Sequence, residues 1–230
     1  MIGHTHRKGQ IIVLSGPSGV GKTTIVEALL PQFPEIVRSI SVTTRLPRTG
    51  EVDGVDYHFL SKSDFEDLIQ RNELVEWTSY SDNYYGTLHS TLESATNAGQ
   101  DVVLTIDVDG AVQLKELRLS CLLIFVLPPS FRTLEDRLRD RQTDTEAELK
   151  QRLERAKAEF DLMKHYDYYV INDQISEVVS NIKQIIEVNR FRIGVDLIQA
   201  IEAKISPLMF ATRHHDSVSD VTGVDDDTEE

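Results

Sequence analysis

The sequence GPSGVGKT occupies residues 16–23 and directly follows QIIVLS at residues 10–15. The apolar run is typical of a buried strand, and the segment that begins at Lys22 carries apolar residues at helical spacing. A glycine-rich turn that joins a strand to a helix and ends in Lys-Thr matches the pattern G-x-x-x-x-G-K-[ST]. This stretch therefore predicts a strand–loop–helix unit that binds the phosphates of a nucleoside triphosphate.

Strand-like and helix-like segments alternate along most of the chain outward from this unit. Apolar runs that predict buried strands occupy residues 101–110, 121–129 and 166–173, and helical patterns follow them. Strands that alternate with helices require crossover connections and a mostly parallel sheet. The sequence therefore predicts an α/β fold of the P-loop NTPase type, in which helices flank a mostly parallel sheet.

The segment 36–90 interrupts this alternation with short extended runs and turn signals. We expect it to form a β-rich lobe. The lobe would be inserted between two parts of the core, residues 9–35 and 100–195. One domain would thus cover residues 9–195.

Two further segments stand out within and beyond this domain. Residues 131–141 and 145–164 have helical patterns, and Thr145 and Glu148 have the spacing of a capping box at the start of the second. Residues 206–230 are weakly periodic and end in a run of acidic residues, so we expect a disordered acidic tail there.

Composition limits the class of protein. The chain has 230 residues and a net charge of −14, which argues against a nucleic-acid partner because nucleic-acid binders carry basic surfaces. The single cysteine, Cys121, lies in an apolar run and is expected to fill core. The apolar stretch that follows the N-terminus is too short for a signal-peptide core, and no apolar run reaches the length of a membrane span. We therefore expect a soluble cytoplasmic protein, a monomer or homodimer, without a membrane partner.

The phosphate loop has a residue type suited to each task. Glycine has no Cβ, so Gly16, Gly19 and Gly21 allow a tight turn whose N–H groups surround an anion. Lys22 can reach the β- and γ-phosphates, and the Thr23 hydroxyl can ligate Mg²⁺. The residues expected to cradle the nucleotide are Gly16, Pro17, Ser18, Gly19, Val20, Gly21, Lys22, Thr23 and Thr24.

The β-rich lobe carries side chains that suit a second phosphorylated substrate. Arg45 and Arg48 flank a proline, and paired guanidinium groups suit a phosphate monoester. The hydroxyls of Tyr57 and Tyr85 could add hydrogen bonds to that phosphate. A carboxylate such as that of Glu76 only accepts hydrogen bonds, so it suits the two adjacent donors of guanine and not the N1 acceptor of adenine.

A set of motifs occurs in the order found in one family. After the phosphate loop come SVTTRLPR (41–48), GEVDGVDYHF (50–59), EW (76–77), NYYGT (83–87), IDVDG (106–110), LPPS (127–130) and VIND (170–173). This order resembles that of the guanylate kinases, the ATP:GMP phosphotransferases, over roughly residues 9–192. The resemblance implies transfer of the ATP γ-phosphoryl group to GMP with Mg²⁺, in guanine nucleotide recycling.

The resemblance also implies a role for each matching position. The residues that would hold GMP are Ser41, Arg45, Arg48, Tyr57, Glu76, Tyr85, Thr87 and Asp107. The resemblance further implies that the lobe at 36–90 binds a nucleoside monophosphate and that a helical lid covers about residues 137–157. The lid and active-site arginines that would close on the ATP phosphates are Arg137, Arg141 and Arg152. Lys22 and Arg45 would join these arginines in catalysis, and Asn172 would contact adenine.

One departure and two alternatives qualify this interpretation. Thr105 stands where the family often has an acidic residue, so guanine contact would rest more on Glu76. A kinase of a phosphorylated sugar on the same scaffold would lack Glu76 and Thr87. A non-catalytic guanylate-kinase-like domain that binds phosphopeptides typically has a degraded phosphate loop, whereas Lys22 and Thr23 are intact here.

Overall fold

A computed structural model describes residues 8–80, 82–140 and 145–192 of the chain. The chain divides into one unit that ends at Asn189 and a second that begins at Arg190. All elements named below lie in the first unit, and the structure describes residues 190–192 of the second. Arg141 and the expected tail at 206–230 lie outside the described residues.

The described strands are short and are numbered in chain order. They are β1 (Ile11–Ser15), β2 (Ile36–Arg38), β3 (Val42–Thr43), β4 (His58–Phe59), β5 (Leu74–Tyr80), β6 (Asn83–Leu88), β7 (Asp101–Thr105), β8 (Leu122–Leu127) and β9 (Tyr168–Ile171).

The described α-helices alternate with these strands. They are α1 (Lys22–Leu29), α2 (Lys62–Gln70), α3 (His89–Asn97), α4 (Val108–Glu116), α5 (Phe131–Arg139), α6 (Glu146–Asp161) and α7 (Ile175–Asn189). Short 3₁₀ helices at Leu30–Gln32 and Leu162–His165 extend α1 and α6. Among the described helices, none has the length and apolar character needed to cross a membrane.

The central sheet has the order β2-β7-β1-β8-β9, and all of its strand pairs are parallel. This is the parallel α/β sheet that the alternating pattern predicts. The assignment of residues 36–38 to the inserted lobe is wrong, because Ile36 and Val37 pair with β7 at the sheet edge. The chain therefore leaves the central sheet only after Arg38.

The core lies on both faces of this sheet. On one face, α1 and α7 pack against β1 and β8 through fully buried residues such as Ile25, Val178 and Ile124. On the other face, α3 and α4 pack against β7 through buried residues such as Leu92 and Leu114. Because both faces are covered, the strands are apolar throughout, as expected for a parallel sheet. Cys121 packs at the edge of the second cluster, and burial raises the pKa of its thiol to about 11.

The inserted lobe is a separate mixed sheet with the order β4-β3-β6-β5. Its main contact is the antiparallel pair β5–β6, in which Glu76 lies opposite Thr87. The pairing register shifts between Leu74 and Glu76, and Val75 and Glu76 are both buried. Two residues of β5 therefore lie opposite one of β6 at this point, which is the geometry of a bulge.

The helices α5 and α6 overlap the range in which a lid is expected, and they have a small apolar cluster of their own. Leu134 and Leu138 of α5 pack against Leu149 and Ala156 of α6. The capping box predicted at the start of α6 is confirmed, because Thr145 and Glu148 each bond the other's backbone N–H.

Candidate active site

The phosphate loop turns between β1 and α1 at the carboxyl end of the central sheet. Gly16, Gly19 and Gly21 have φ values of 145°, 86° and 96°, a left-handed region that favours glycine. A Cβ on Gly16 would lie 2.5 Å from the Val126 carbonyl oxygen, so a side chain there would displace backbone. The loop therefore places its backbone N–H groups beside the N-terminus of α1, where an anion is favoured.

The side chain of Lys22 folds over the loop. Its Nζ donates to the carbonyl oxygens of Gly16 at 2.5 Å and Pro17 at 3.2 Å. The ammonium group therefore lies against the phosphate loop itself.

The side chains of Asn172 and Arg137 both donate hydrogen bonds to the backbone of the phosphate loop. Nδ2 of Asn172 donates to the Val20 carbonyl oxygen at 2.7 Å, and a Cβ on Gly21 would lie 2.4 Å from that Nδ2. Arg137 donates to the carbonyl oxygens of Val20 and Asn172 at 3.3 and 2.9 Å. In this structure both residues therefore fix the loop backbone.

Glu76 is a buried carboxylate at the base of the lobe. Its side chain is 4% exposed and accepts a hydrogen bond from Thr87 Oγ1 at 2.7 Å. Burial raises the pKa of Glu76 to about 7, although the bond from Thr87 acts in the opposite direction. A Cβ on Gly110 would lie 2.6 Å from Glu76 Oε2, so the first turn of α4 closes directly over this carboxylate.

The Arg45 guanidinium is held in a fixed orientation by Glu51. Nη1 and Nη2 each donate to one oxygen of Glu51 at 2.9 Å, and Nη1 also donates to the Leu46 carbonyl oxygen at 2.7 Å. The guanidinium lies 5.4 Å from the ring centroid of Tyr57. The hydrogen bond from Arg45 lowers the pKa of Glu51, so this pair is ionised on both sides at neutral pH.

Two tyrosines lie beside Arg45 in the lobe. The rings of Tyr57 and Tyr85 meet edge to face with centroids 6.3 Å apart. Burial raises the pKa of Tyr57, so its hydroxyl keeps the proton that it would donate to a phosphate. Arg48 is exposed, and its backbone N–H donates to Glu51 at 2.7 Å.

Asp107 caps α4 at the carboxyl end of β7. The sequence predicts a strand up to residue 110, but β7 ends at Thr105 and α4 begins at Val108. The reason is local, because Asp107 Oδ1 accepts a hydrogen bond from the Gly110 N–H at 2.8 Å. Both Thr105 and Asp107 thereby face one cavity.

This cavity brings residues of the loop, the lobe and the lid together. Of the expected site residues, it is lined by Gly16, Ser18, Lys22, Ser41, Tyr57, Glu76, Tyr85, Asp107 and Arg152. Thr87 bonds Glu76 and Arg45 lies over the ring of Tyr57, and both of these partners line the cavity. Arg48 instead contacts Glu51, which is not among the lining residues. Thr23 and Thr24 are exposed at the start of α1, and Arg141 lies outside the described residues.

Three residues at or beside the cavity have little signal in the sequence. Glu51 was passed over although it lies three residues after Arg48 in a turn, where an acidic side chain can reach back to the arginines. Arg155 and Glu159 both line the cavity from α6 and bond each other. Their spacing of four gave the only sequence signal, and it is also typical of a solvent-exposed helix face.

Comparisons with known proteins agree with this geometry. The guanylate kinase family model matches residues 8–189. The guanylate kinase of Desulfitobacterium hafniense (strain Y51) is 42% identical over 185 residues, which cover 80% of this chain and 92% of that protein. The guanylate kinase of Synechocystis sp. is 45% identical over 182 residues, which cover 79% of this chain and 95% of that protein.

A solved structure gives the same result. The crystal structure of guanylate kinase from Anaplasma phagocytophilum superposes with a TM-score of 0.66 at 32% identity. The match covers 86% of this chain and 96% of that chain. The resemblance found in the sequence and the predicted fold class are both confirmed, and the chain belongs to the guanylate kinase family.

Proposed function

We propose that the chain transfers the γ-phosphoryl group of ATP to the phosphate of GMP and releases ADP and GDP, in guanine nucleotide recycling. One observation carries the proposal: a single cavity is lined by Lys22 of the phosphate loop and by Tyr57 and Glu76 of the lobe. Two nucleotides bound at these two ends would meet with their phosphates between them, which is the arrangement that phosphoryl transfer requires.

The donor nucleotide binds in the phosphate loop. The N–H groups of the loop and the N-terminus of α1 hold the phosphates, and Lys22 exchanges its bonds with the loop carbonyls for bonds with the phosphates. Asn172 and Arg137 keep the loop in shape through Val20. The expected contact of Asn172 with adenine stays a prediction, because its amide nitrogen is bonded to the loop here.

The chain has a donor set that fits Mg²⁺ arriving with the nucleotide. Among the described residues, no group of three His, Cys, Asp or Glu side chains could hold a metal ion. The hydroxyl of Thr23 would be the protein ligand, and phosphate oxygens would supply others, which suits a hard cation. When bound, Mg²⁺ neutralises charge on the transferred group.

The acceptor phosphate binds at the corner formed by Arg45, Tyr57 and Tyr85. A guanidinium has five N–H donors, and the bonds to Glu51 and Leu46 use three of them. The others, together with the two tyrosine hydroxyls, can bind phosphate oxygens. Arg48 is exposed nearby and adds a second positive charge.

The guanine base binds at Glu76. The ionised carboxylate accepts hydrogen bonds from N1–H and the exocyclic amine, while Thr87 fixes its orientation. The adenine of AMP presents an acceptor at N1, so it cannot offer the two adjacent donors of guanine, and a buried carboxylate oxygen that loses a donor is costly. Ser41 and Asp107 line the remaining wall on the base and ribose side.

Catalysis consists of alignment and charge neutralisation. Lys22, Arg45, Arg137, Arg141 and Arg152 would surround the migrating group with positive charge, and no strong base is needed in a loose transition state. Closure of the lid and the lobe would exclude water that otherwise hydrolyses ATP. The intact loop does not favour a non-catalytic binding module.

The test is an assay of ADP release with ATP and each of GMP, AMP, UMP and dTMP in parallel. We expect turnover with GMP and a kcat/KM at least about 100-fold lower with AMP, since a missing hydrogen-bond partner in a polar site gives large discrimination. Equal rates with GMP and AMP would contradict the assignment of Glu76. The cytoplasmic location and the oligomeric state stay predictions.

A further inference from the structure

Arg155 connects α6 to the first turn of α4. Its Nη2 donates to Asp109 Oδ2 at 3.1 Å and lies 3.5 Å from Asp107 Oδ2, and its Nε donates to Glu159 Oε1 at 2.9 Å. The planar guanidinium thus reaches three carboxylates at once, which a lysine ammonium on a single stem does less well. Two of these carboxylates, those of Asp107 and Glu159, line the same cavity as Arg155 itself.

The same guanidinium also contacts the inserted lobe. It lies 5.2 Å from the ring centroid of Tyr80, the last residue of β5, within the range of a cation–π interaction. One side chain of α6 therefore contacts the core through Asp107 and the lobe through Tyr80. Arg152, three residues earlier on the same helix, lines the same cavity.

The charges show what removal of this side chain would do. Asp107, Asp109 and Glu159 place three negative charges around one guanidinium. Without Arg155 these carboxylates would repel one another and the phosphate of an incoming nucleotide. The cap of α4, which depends on Asp107 Oδ1, would lose its fixed position beside the cavity.

We propose that Arg155 is a positioning residue of the part of the cavity that binds GMP. Its side chain holds Asp107 and Tyr80 in place, and it thereby connects the core and the lobe to α6, the helix that carries Arg152. The proposal rests on the proposed function, because it concerns the nucleotide that binds between Glu76 and Arg45. It assigns a role in the pocket to a helix residue whose sequence pattern indicates only a charged surface.

The first test compares Arg155→Met with Arg155→Lys, and Arg139→Met is the matched control. Arg139 lies on α5 and pairs with Glu135 and Glu146, outside the cavity. For Arg155→Met we expect KM for GMP to rise about tenfold, about 1.4 kcal/mol, with KM for ATP within about twofold. The KM for GMP of Arg155→Lys should lie between those of wild type and Arg155→Met, because lysine keeps the positive charge but lacks the several N–H donors of the planar guanidinium.

A second variant keeps the test valid if Arg155→Met folds poorly. Tyr80→Leu leaves every charge in place and should raise KM for GMP about threefold, the size of a partly exposed cation–π contact. In the double variant the two effects should be less than additive, because both act through one contact.

The outcomes separate this inference from the proposed function. A KM for GMP within twofold of wild type in Arg155→Met, or an equal rise for GMP and ATP, would overturn the positioning role. Fully additive effects of Tyr80→Leu and Arg155→Met would overturn the contact between them. Failure of the wild-type protein to phosphorylate GMP would instead contradict the proposed function.

Discussion

Replacing the buried carboxylate of Glu76 by an amide is expected to stabilise the fold at high pH while it damages guanine recognition. Burial raises the pKa of Glu76 from 4.5 to about 7, which corresponds to about 3 kcal/mol at 1.36 kcal/mol for each pH unit. The side chain is 4% exposed, so solvent screening reduces this value little. The folded protein therefore bears a free-energy cost at pH 8 that Glu76→Gln removes.

The sign of the pH dependence follows from proton linkage. Between pH 4.5 and about 7 the folded protein retains the Glu76 proton that the unfolded chain has lost. The stability contributed by this group is therefore fully present below pH 4.5 and is lost as the pH rises through 7. The unfolding free energy of Glu76→Gln minus that of wild type should rise by about 2–3 kcal/mol from pH 5 to pH 8.

Urea unfolding followed by circular dichroism at pH 5, 6, 7 and 8 measures this difference. Glu51→Gln is the contrasting control, because Arg45 lowers the pKa of Glu51 below 4.5, so the unfolding free energy of this variant relative to wild type should stay constant from pH 5 to pH 8. In parallel, kcat/KM for GMP should fall about 100-fold or more in Glu76→Gln, since the amide turns a donor toward the donors of guanine. Parallel curves of unfolding free energy against pH for Glu76→Gln and wild type would refute this reasoning.

Three further substitutions test other parts of the site. Lys22→Ala should lower the single-turnover rate constant at least about 100-fold, because it removes a positive charge that would stabilise the transferred phosphoryl group; a rate constant within tenfold of wild type would contradict the loop assignment. Gly110→Ala would place a Cβ 2.6 Å from Glu76 Oε2, so KM for GMP should rise about tenfold. Alanine has a higher helix propensity than glycine, so α4 itself should not be weakened. An unchanged KM would show that the carboxylate can move freely. Glu51→Gln should raise KM for GMP about fivefold by weakening the bond that orients Arg45, and the idea fails if KM for ATP rises as much.

The sequence predicts what is local in this fold. The strand–loop–helix unit, the order of strands and helices and the capping box at Thr145 all depend on neighbours within a few residues. Pairing partners are not local, and Ile36–Arg38 shows the limit. Three extended residues carry no signal that they will join β7, which lies about sixty residues later in the chain.

The difference between local and non-local contacts also explains which residues of the candidate site could be predicted. Residues placed by a contiguous motif, such as Lys22 and Tyr57, line the expected cavity. Arg155 was missed because its partners at Asp107 and Tyr80 lie far away in sequence. The raised pKa of Glu76 was also beyond the sequence, because burial comes from the closure of α4 over β5.

The most direct test of the account is a calorimetric titration of GMP into the protein saturated with Mg²⁺ and ADP, with AMP titrated in parallel. We expect saturable binding of one GMP for each chain and at least about 100-fold weaker binding of AMP. Nucleotide binding to the phosphate loop without saturable binding of GMP would contradict the claim that one cavity holds two nucleotides end to end.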